Sequence, residues 1–151
     1  MGFSITGFVI AMSILAPNFL MVAFPPRNMP DKISGAGVIF TALERSGQVG
    51  CLALLIFSKS ALENRPADVW FILSAVCIVC YNGLWIRYVI MGRDFKALFS
   101  PVIIPVPMAV LPVVAFGFAA VWGQSVLIGG GSFLFAVGHI VNSWRTYNFI
   151  K

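Results

Sequence analysis

Glu44 and Arg45 stand side by side within a hydrophobic run, 33–58, that is long enough to cross a bilayer. A charge at the centre of a membrane helix costs roughly 2.5 to 3.5 kcal/mol. Chains keep such groups where they face a protein interior or a wet cavity and find partners there. Gln48 follows one turn later, and these three residues form the expected wall of a polar site. Thr41, Glu44, Gln48 and Cys51 are spaced to share one helical face. Neighbouring residues on a helix point about 100° apart, so Glu44 and Arg45 need separate partners. The partners expected for Arg45 are Tyr81 or Asn82. Those for Glu44 are His139 or Arg87, unless the carboxyl is protonated and carries no charge.

His139 is the one histidine of the chain. It could act as a general base, a proton relay or an anion contact, or as a neutral imidazole bonded between helices. With no second His and only scattered carboxylates, no metal site is expected. No cofactor is implied either. Ser132, Ala136, His139 and Asn142 with Ser143 form a polar face like that around Glu44. Asn18, Asn82 and Asn142 are cheaper to bury and often serve as interhelical glue. Cys77 and Cys80 make a Cys-x-x-Cys, but the only other cysteine, Cys51, lies mid-span. The small, apolar packing role therefore outweighs thiol redox chemistry.

These groups must be positioned by apolar elements. The 151 residues are 60% hydrophobic and only 10% charged, against nearer 25% charged in soluble domains. That pattern predicts an all-α polytopic membrane bundle, a single domain over 1–151. Five spans are expected: 3–24, 33–58, 67–91, 97–122 and 125–147. The rival plan has four spans, with the Pro-rich stretch of Pro101, Pro105, Pro107 and Pro112 re-entrant. Pro17-Asn18 breaks the first span and frees backbone carbonyls that need other donors. The net charge of +5 comes from scattered loop residues without a basic stripe, which excludes nucleic acid as the partner. Arg27, Lys32, Arg87, Arg93, Lys96, Arg145 and Lys151 fall on one side, and Lys59 and Arg65 on the other. The positive-inside rule then predicts N-out, C-in. Tyr88, Trp144 and Tyr147 are expected at the inner interface, with Trp70 and Trp122 at the outer one. In size and five-span plan the chain resembles the translocator family of tryptophan-rich sensory proteins, in architecture only. It shares no motif with them, so no function is carried over.

On this threading Glu44, Arg45, Asn82 and His139 fall at similar depth, with Asn18 and Asn142 nearer the cytosol. The expectation is a polar cavity in the cytoplasmic half, with Glu44, Arg45, Gln48, Asn82, His139, Asn142, Asn18 and Tyr81 as ligand-binding residues. The expected function is binding or carrying a small amphipathic or lipid-like molecule. One alternative is an intramembrane enzyme acting on a lipid or isoprenoid, with Glu44 and His139 as acid and base. Another is a non-catalytic subunit of a membrane complex. Membrane lipids and the amphipathic ligand are the expected partners, with a homo-oligomer as a further option. The expected location is a prokaryotic plasma membrane.

Overall fold

The computed structural model describes residues 2–30, 33 and 36–151. Asp31 and Lys32, part of the first expected loop, lie outside the described residues. All regular structure is helical. In chain order the helices are α1 (Ile5–Leu15), α2 (Leu20–Ala23), α3 (Val38–Phe57), α4 (Lys59–Leu62), α5 (Val69–Ile90), α6 (Pro107–Trp122) and α7 (Val126–Ile150). A single 3-10 turn, Ala16–Phe19, joins α1 to α2, and another covers Phe95–Leu98.

Four stretches are long and apolar enough to cross a membrane: Ile5–Ala23, Val38–Phe57, Val69–Ile90 and Val126–Ile150. The Pro-rich stretch, within the span expected over 97–122, is an interrupted helix. Its helix covers only Pro107–Trp122, about 24 Å at 1.5 Å per residue, against a hydrocarbon core of about 30 Å. Residues 99–106 are not helical. Prolines 101, 105 and 107 remove backbone donors and clash with the preceding turn, so a regular helix cannot run through them. Pro107 is instead tolerated at the first position of α6. Pro112 stays inside α6, and two carbonyls that follow it accept bonds from neighbouring helices. The Ser132 hydroxyl donates to the Val113 carbonyl at 3.0 Å and the Ser74 hydroxyl to that of Ala115 at 2.9 Å.

The two ends of the bundle are tied differently. At one end Ser4 caps α1 by accepting from the Gly7 amide, and its hydroxyl donates to Glu63 at 2.7 Å. Glu63 also accepts from the Thr6 amide. At the same end Arg65 donates to the Trp122 carbonyl at 2.7 Å, and the Trp122 indole donates to the Pro66 carbonyl. The opposite end holds the Tyr88 hydroxyl on the Phe24 carbonyl at 2.8 Å. Tyr88 is fully buried there.

The Ser4 hydroxyl, and after it the Thr6 amide, hold the Glu63 carboxyl below its ordinary value of 4.5. A lowered folded-state pKa adds stability that is present above the unfolded value and is lost as pH falls through the folded one. The unfolding temperature of the wild type is therefore expected to drop as pH is taken below about 4.5. Ser4→Ala should flatten that part of the profile. Parallel profiles for the two proteins would sink the assignment.

Packing of α3 on α7 depends on glycine. The α3 seam runs through Glu44, Gly47, Cys51 and Leu55, with the last three buried. A Cβ on Gly47 would lie 2.6 Å from the Cα of Phe135, and one on Gly138 would lie 2.6 Å from the Cα of Glu44. Both are backbone contacts, so the two helices touch without side chains between them. Of the small-residue pairs in the sequence, Ala115 and Ala119 are fully buried. Ser46 and Gly50 are not, and nothing would meet a Cβ on Gly50 within 4 Å.

Candidate functional site

The close approach of α3 and α7 brings Glu44 against the polar face of α7. The Glu44 Oε1 is 2.6 Å from Nδ1 of His139, and the Asn142 amide donates to Oε2. Among the partners expected for Glu44, His139 is the one found. An ionised carboxylate can only accept, so opposite ionised Glu44 the hydrogen is on Nδ1 and Nε2 is the second ring nitrogen. Phe135, one turn earlier on α7, stacks on the imidazole with centroids 4.7 Å apart and planes at 20°. The ring is therefore held by an edge bond and a face contact. Both Glu44 and His139 keep about a quarter of their side-chain surface exposed, 24% and 25%. Asn142 also binds the chain before α3, through its Oδ1 and the Ala36 amide.

A second polar group forms where α1 breaks. Pro17 has no N–H, so the Ser13 carbonyl loses its helical partner. Asn82 on α5 donates to that carbonyl at 3.1 Å, and to the Ile78 carbonyl at 2.8 Å. One residue earlier, the Tyr81 hydroxyl donates to Oδ1 of Asn18 at 2.7 Å. These bonds correct the pairing expected for Arg45, because Tyr81 and Asn82 are both committed to the broken helix.

The repair by Asn82 has a measurable consequence. Asn82→Leu should destabilise the protein by about 1–2 kcal/mol, because it orphans the Ser13 carbonyl. In a Pro17→Ala background the restored amide can take that carbonyl, and the same substitution should cost much less. Equal costs in the two backgrounds, measured by thermal unfolding in detergent, would show that the bond is incidental.

The two groups meet at one cavity of about 150 Å³, between the broken first helix, α5, the Phe95–Leu98 turn, α6 and α7. Its polar lining is Asn18, Tyr81, Trp85, His139 and Ser143. Phe95, Phe99, Met21 and Met108 supply apolar wall. Glu44 and Asn142 lie behind His139 and do not line it. Asn82 is on α5 beside Tyr81, but it also does not line the cavity. Arg45 and Gln48 are further corrections to the single wall expected from their spacing. Arg45 is exposed and lines a shallow groove on the outer side of α3 with Gly37, Val38, Thr41 and Ala42. Gln48 is half-buried and makes no side-chain hydrogen bond among the described residues. An α-helix advances 100° per residue, so adjacent charges diverge, and Gly47 rather than Gln48 occupies the seam.

Trp85 is the residue the sequence reading missed. It is 4% exposed, and its indole N–H is the one fully buried side-chain polar atom without a partner among the described residues. Its signal was the spacing Tyr81, Trp85, Tyr88, which places three aromatic rings on one face of α5. These rings pack edge to face, at 6.4 and 5.7 Å. The cysteines are free: Cys51 is buried in the α3–α7 seam, Cys77 is half-buried and Cys80 is exposed. No three His, Cys, Asp or Glu side chains gather as a metal set among the described residues.

Four helical stretches long and apolar enough to cross a bilayer, with a partly buried polar cluster among them, fit a helical membrane protein. Comparison with protein-family models, curated proteins and solved structures gave no match.

Proposed function

We propose that this chain is a single-domain, five-pass integral membrane protein that binds a small amphipathic molecule in the cavity beside His139. On this reading α6 is the fourth crossing, kinked and completed by the non-helical stretch before it. The basic end, with Arg27, Arg87, Arg93, Lys96, Arg145 and Lys151, faces the cytoplasm of a plasma membrane. The observation that carries the reading is the convergence of Asn18, Tyr81, Trp85, His139 and Ser143 on one cavity in an otherwise apolar bundle. Its volume limits what can enter. A cavity near 150 Å³ holds about one benzene ring, so only one end of a lipid-like molecule fits inside.

Native mass spectrometry of protein released from nanodiscs tests the proposal. A discrete added mass should be retained by wild type and by Arg45→Ala, and lost in His139→Ala. A bare chain in every case would defeat it. A second reading is favoured by the Glu44–His139 bond: an intramembrane enzyme in which Nε2 moves a proton on a bound lipid or isoprenoid. Turnover of a lipid mixture, with a pH dependence abolished by Glu44→Gln, would select it over binding alone.

A further inference from the structure

We propose that the groove beside Arg45, on the outer side of α3, binds the phosphate headgroup of an anionic phospholipid drawn from the surrounding leaflet. This rests on α3 crossing a membrane and is independent of any ligand in the cavity. The first observation is an ion without a counter-ion. Arg45 lies within the 20 residues of α3, about 10 Å along the axis from Val38. It is exposed, and among the described residues it makes no salt bridge and no side-chain hydrogen bond. A guanidinium stays charged, so within hydrocarbon it must find an anion or reach the interface. The described carboxylates are all committed elsewhere. Glu44 spends its oxygens on His139 and Asn142. Glu63 is held by Ser4 and Thr6, Asp68 caps α5, and Asp94 caps the Phe95–Leu98 turn. A second copy of the chain would bring these same committed groups, so it is a poor source of the anion.

The second observation is where the open space lies. The groove is lined by Gly37, Val38, Thr41, Ala42 and Arg45. The first four stand eight, seven, four and three residues before Arg45, on one face that runs back to the start of the helix. Helical side chains lean toward the N-terminus, so this face directs the arginine stem toward the membrane surface. Gly37 and Ala42 leave the groove open to a headgroup. Deeper on the same face, Val49 is 65% exposed and offers apolar surface to an acyl chain. Phosphate at the guanidinium and chain beside Val49 is the order of a lipid from head to tail. A partner helix would call for a groove along the length of α3, whereas this one stops at Arg45. The third observation is the local field. The Ala36 amide, just before α3, is bound by Asn142, one turn ahead of Arg145. α3 thus starts at the basic end of the bundle, with Arg93 and Lys96, and basic residues at a membrane face concentrate anionic lipid there.

Native mass spectrometry of the full chain tests the site, with release from nanodiscs of phosphatidylglycerol and phosphatidylcholine that share the same acyl chains. Wild type is expected to retain phosphatidylglycerol about tenfold over phosphatidylcholine, as one hydrogen bond to a charged group implies. Arg45→Gln should reduce that preference to about twofold or less. Lys96→Gln removes the same charge from the same end, away from the groove, and should keep the preference. Both positions are exposed, so neither variant disturbs the packed bundle. No preference in wild type, a preference that Arg45→Gln leaves unchanged, or an equal loss in both variants would overturn the site. A co-purifying protein that Arg45→Gln releases, with no lipid preference, would overturn it in favour of a partner helix bearing a carboxylate. In the same spectra the cavity adduct follows His139 and not Arg45, so the two readings fail separately.

Discussion

Gly138→Ala is expected to lower the stability of this protein by about 3 kcal/mol or more, from the addition of a single methyl group. The new Cβ would sit 2.6 Å from both the Glu44 Cα and the Phe40 carbonyl oxygen, and nearer still to the Glu44 amide. Ordinary carbon contacts begin near 3.5 Å, so α3 must move outward by about 1 Å. No side-chain rotation can relieve the clash, because the three nearest atoms all belong to the α3 backbone. The shift would also stretch the 2.6 Å contact between Glu44 and His139. Controls lie on the same two helices. Nothing lies within 4 Å of a Cβ added at Gly130 or Gly50. There alanine should be neutral, or stabilising by up to about 1 kcal/mol through helix propensity. Thermal unfolding in detergent separates the cases. If Gly138→Ala melts with the Gly130→Ala control, the close approach of α3 and α7 is wrong.

The second large effect belongs to the Glu44–His139 pair. Removing one partner leaves a polar group in an apolar bundle without its bond, whereas removing both leaves two apolar surfaces that pack. Breaking a fully buried pair costs about 3–5 kcal/mol. Here both side chains are about a quarter exposed, and solvent weakens the penalty. Glu44→Leu and His139→Leu should therefore each cost about 2 kcal/mol, and the double variant should cost well below their sum. A coupling of about 1–2 kcal/mol is the expected reading of the cycle. Strict additivity would show that the two groups do not depend on each other. The same variants bear on binding. His139 touches the cavity and Glu44 does not, so Glu44→Leu should weaken a ligand less than His139→Ala does, acting only through the position of the ring.

Much of this arrangement was legible in residue types. Glu44 needed a partner at its own depth, and His139 and Asn142 were the polar groups one span could supply. The break at Pro17 announced an orphaned carbonyl, but Asn82, which meets it, was expected to pair with Arg45. What failed was the idea that Glu44, Arg45 and Gln48 form one wall. Adjacency in sequence does not survive a 100° turn per residue, and the depth argument cannot tell which side of a helix faces the bundle. Trp85 escaped notice because a tryptophan near a span end reads as an interfacial anchor. Only packing shows that its N–H lacks a partner.

The sequence by itself determined an apolar helical chain that carries a few costly polar groups within its apolar segments. That follows from composition and from the price of unsatisfied polar atoms in hydrocarbon. The tertiary structure decided which of those groups meet. Helix rotation, the glycine contacts at Gly47 and Gly138, and the non-helical run before Pro107 set Glu44 behind His139, turn Arg45 outward and leave a ring-sized space beside Trp85. Those outcomes depend on contacts between residues far apart in the chain, which local pattern does not encode.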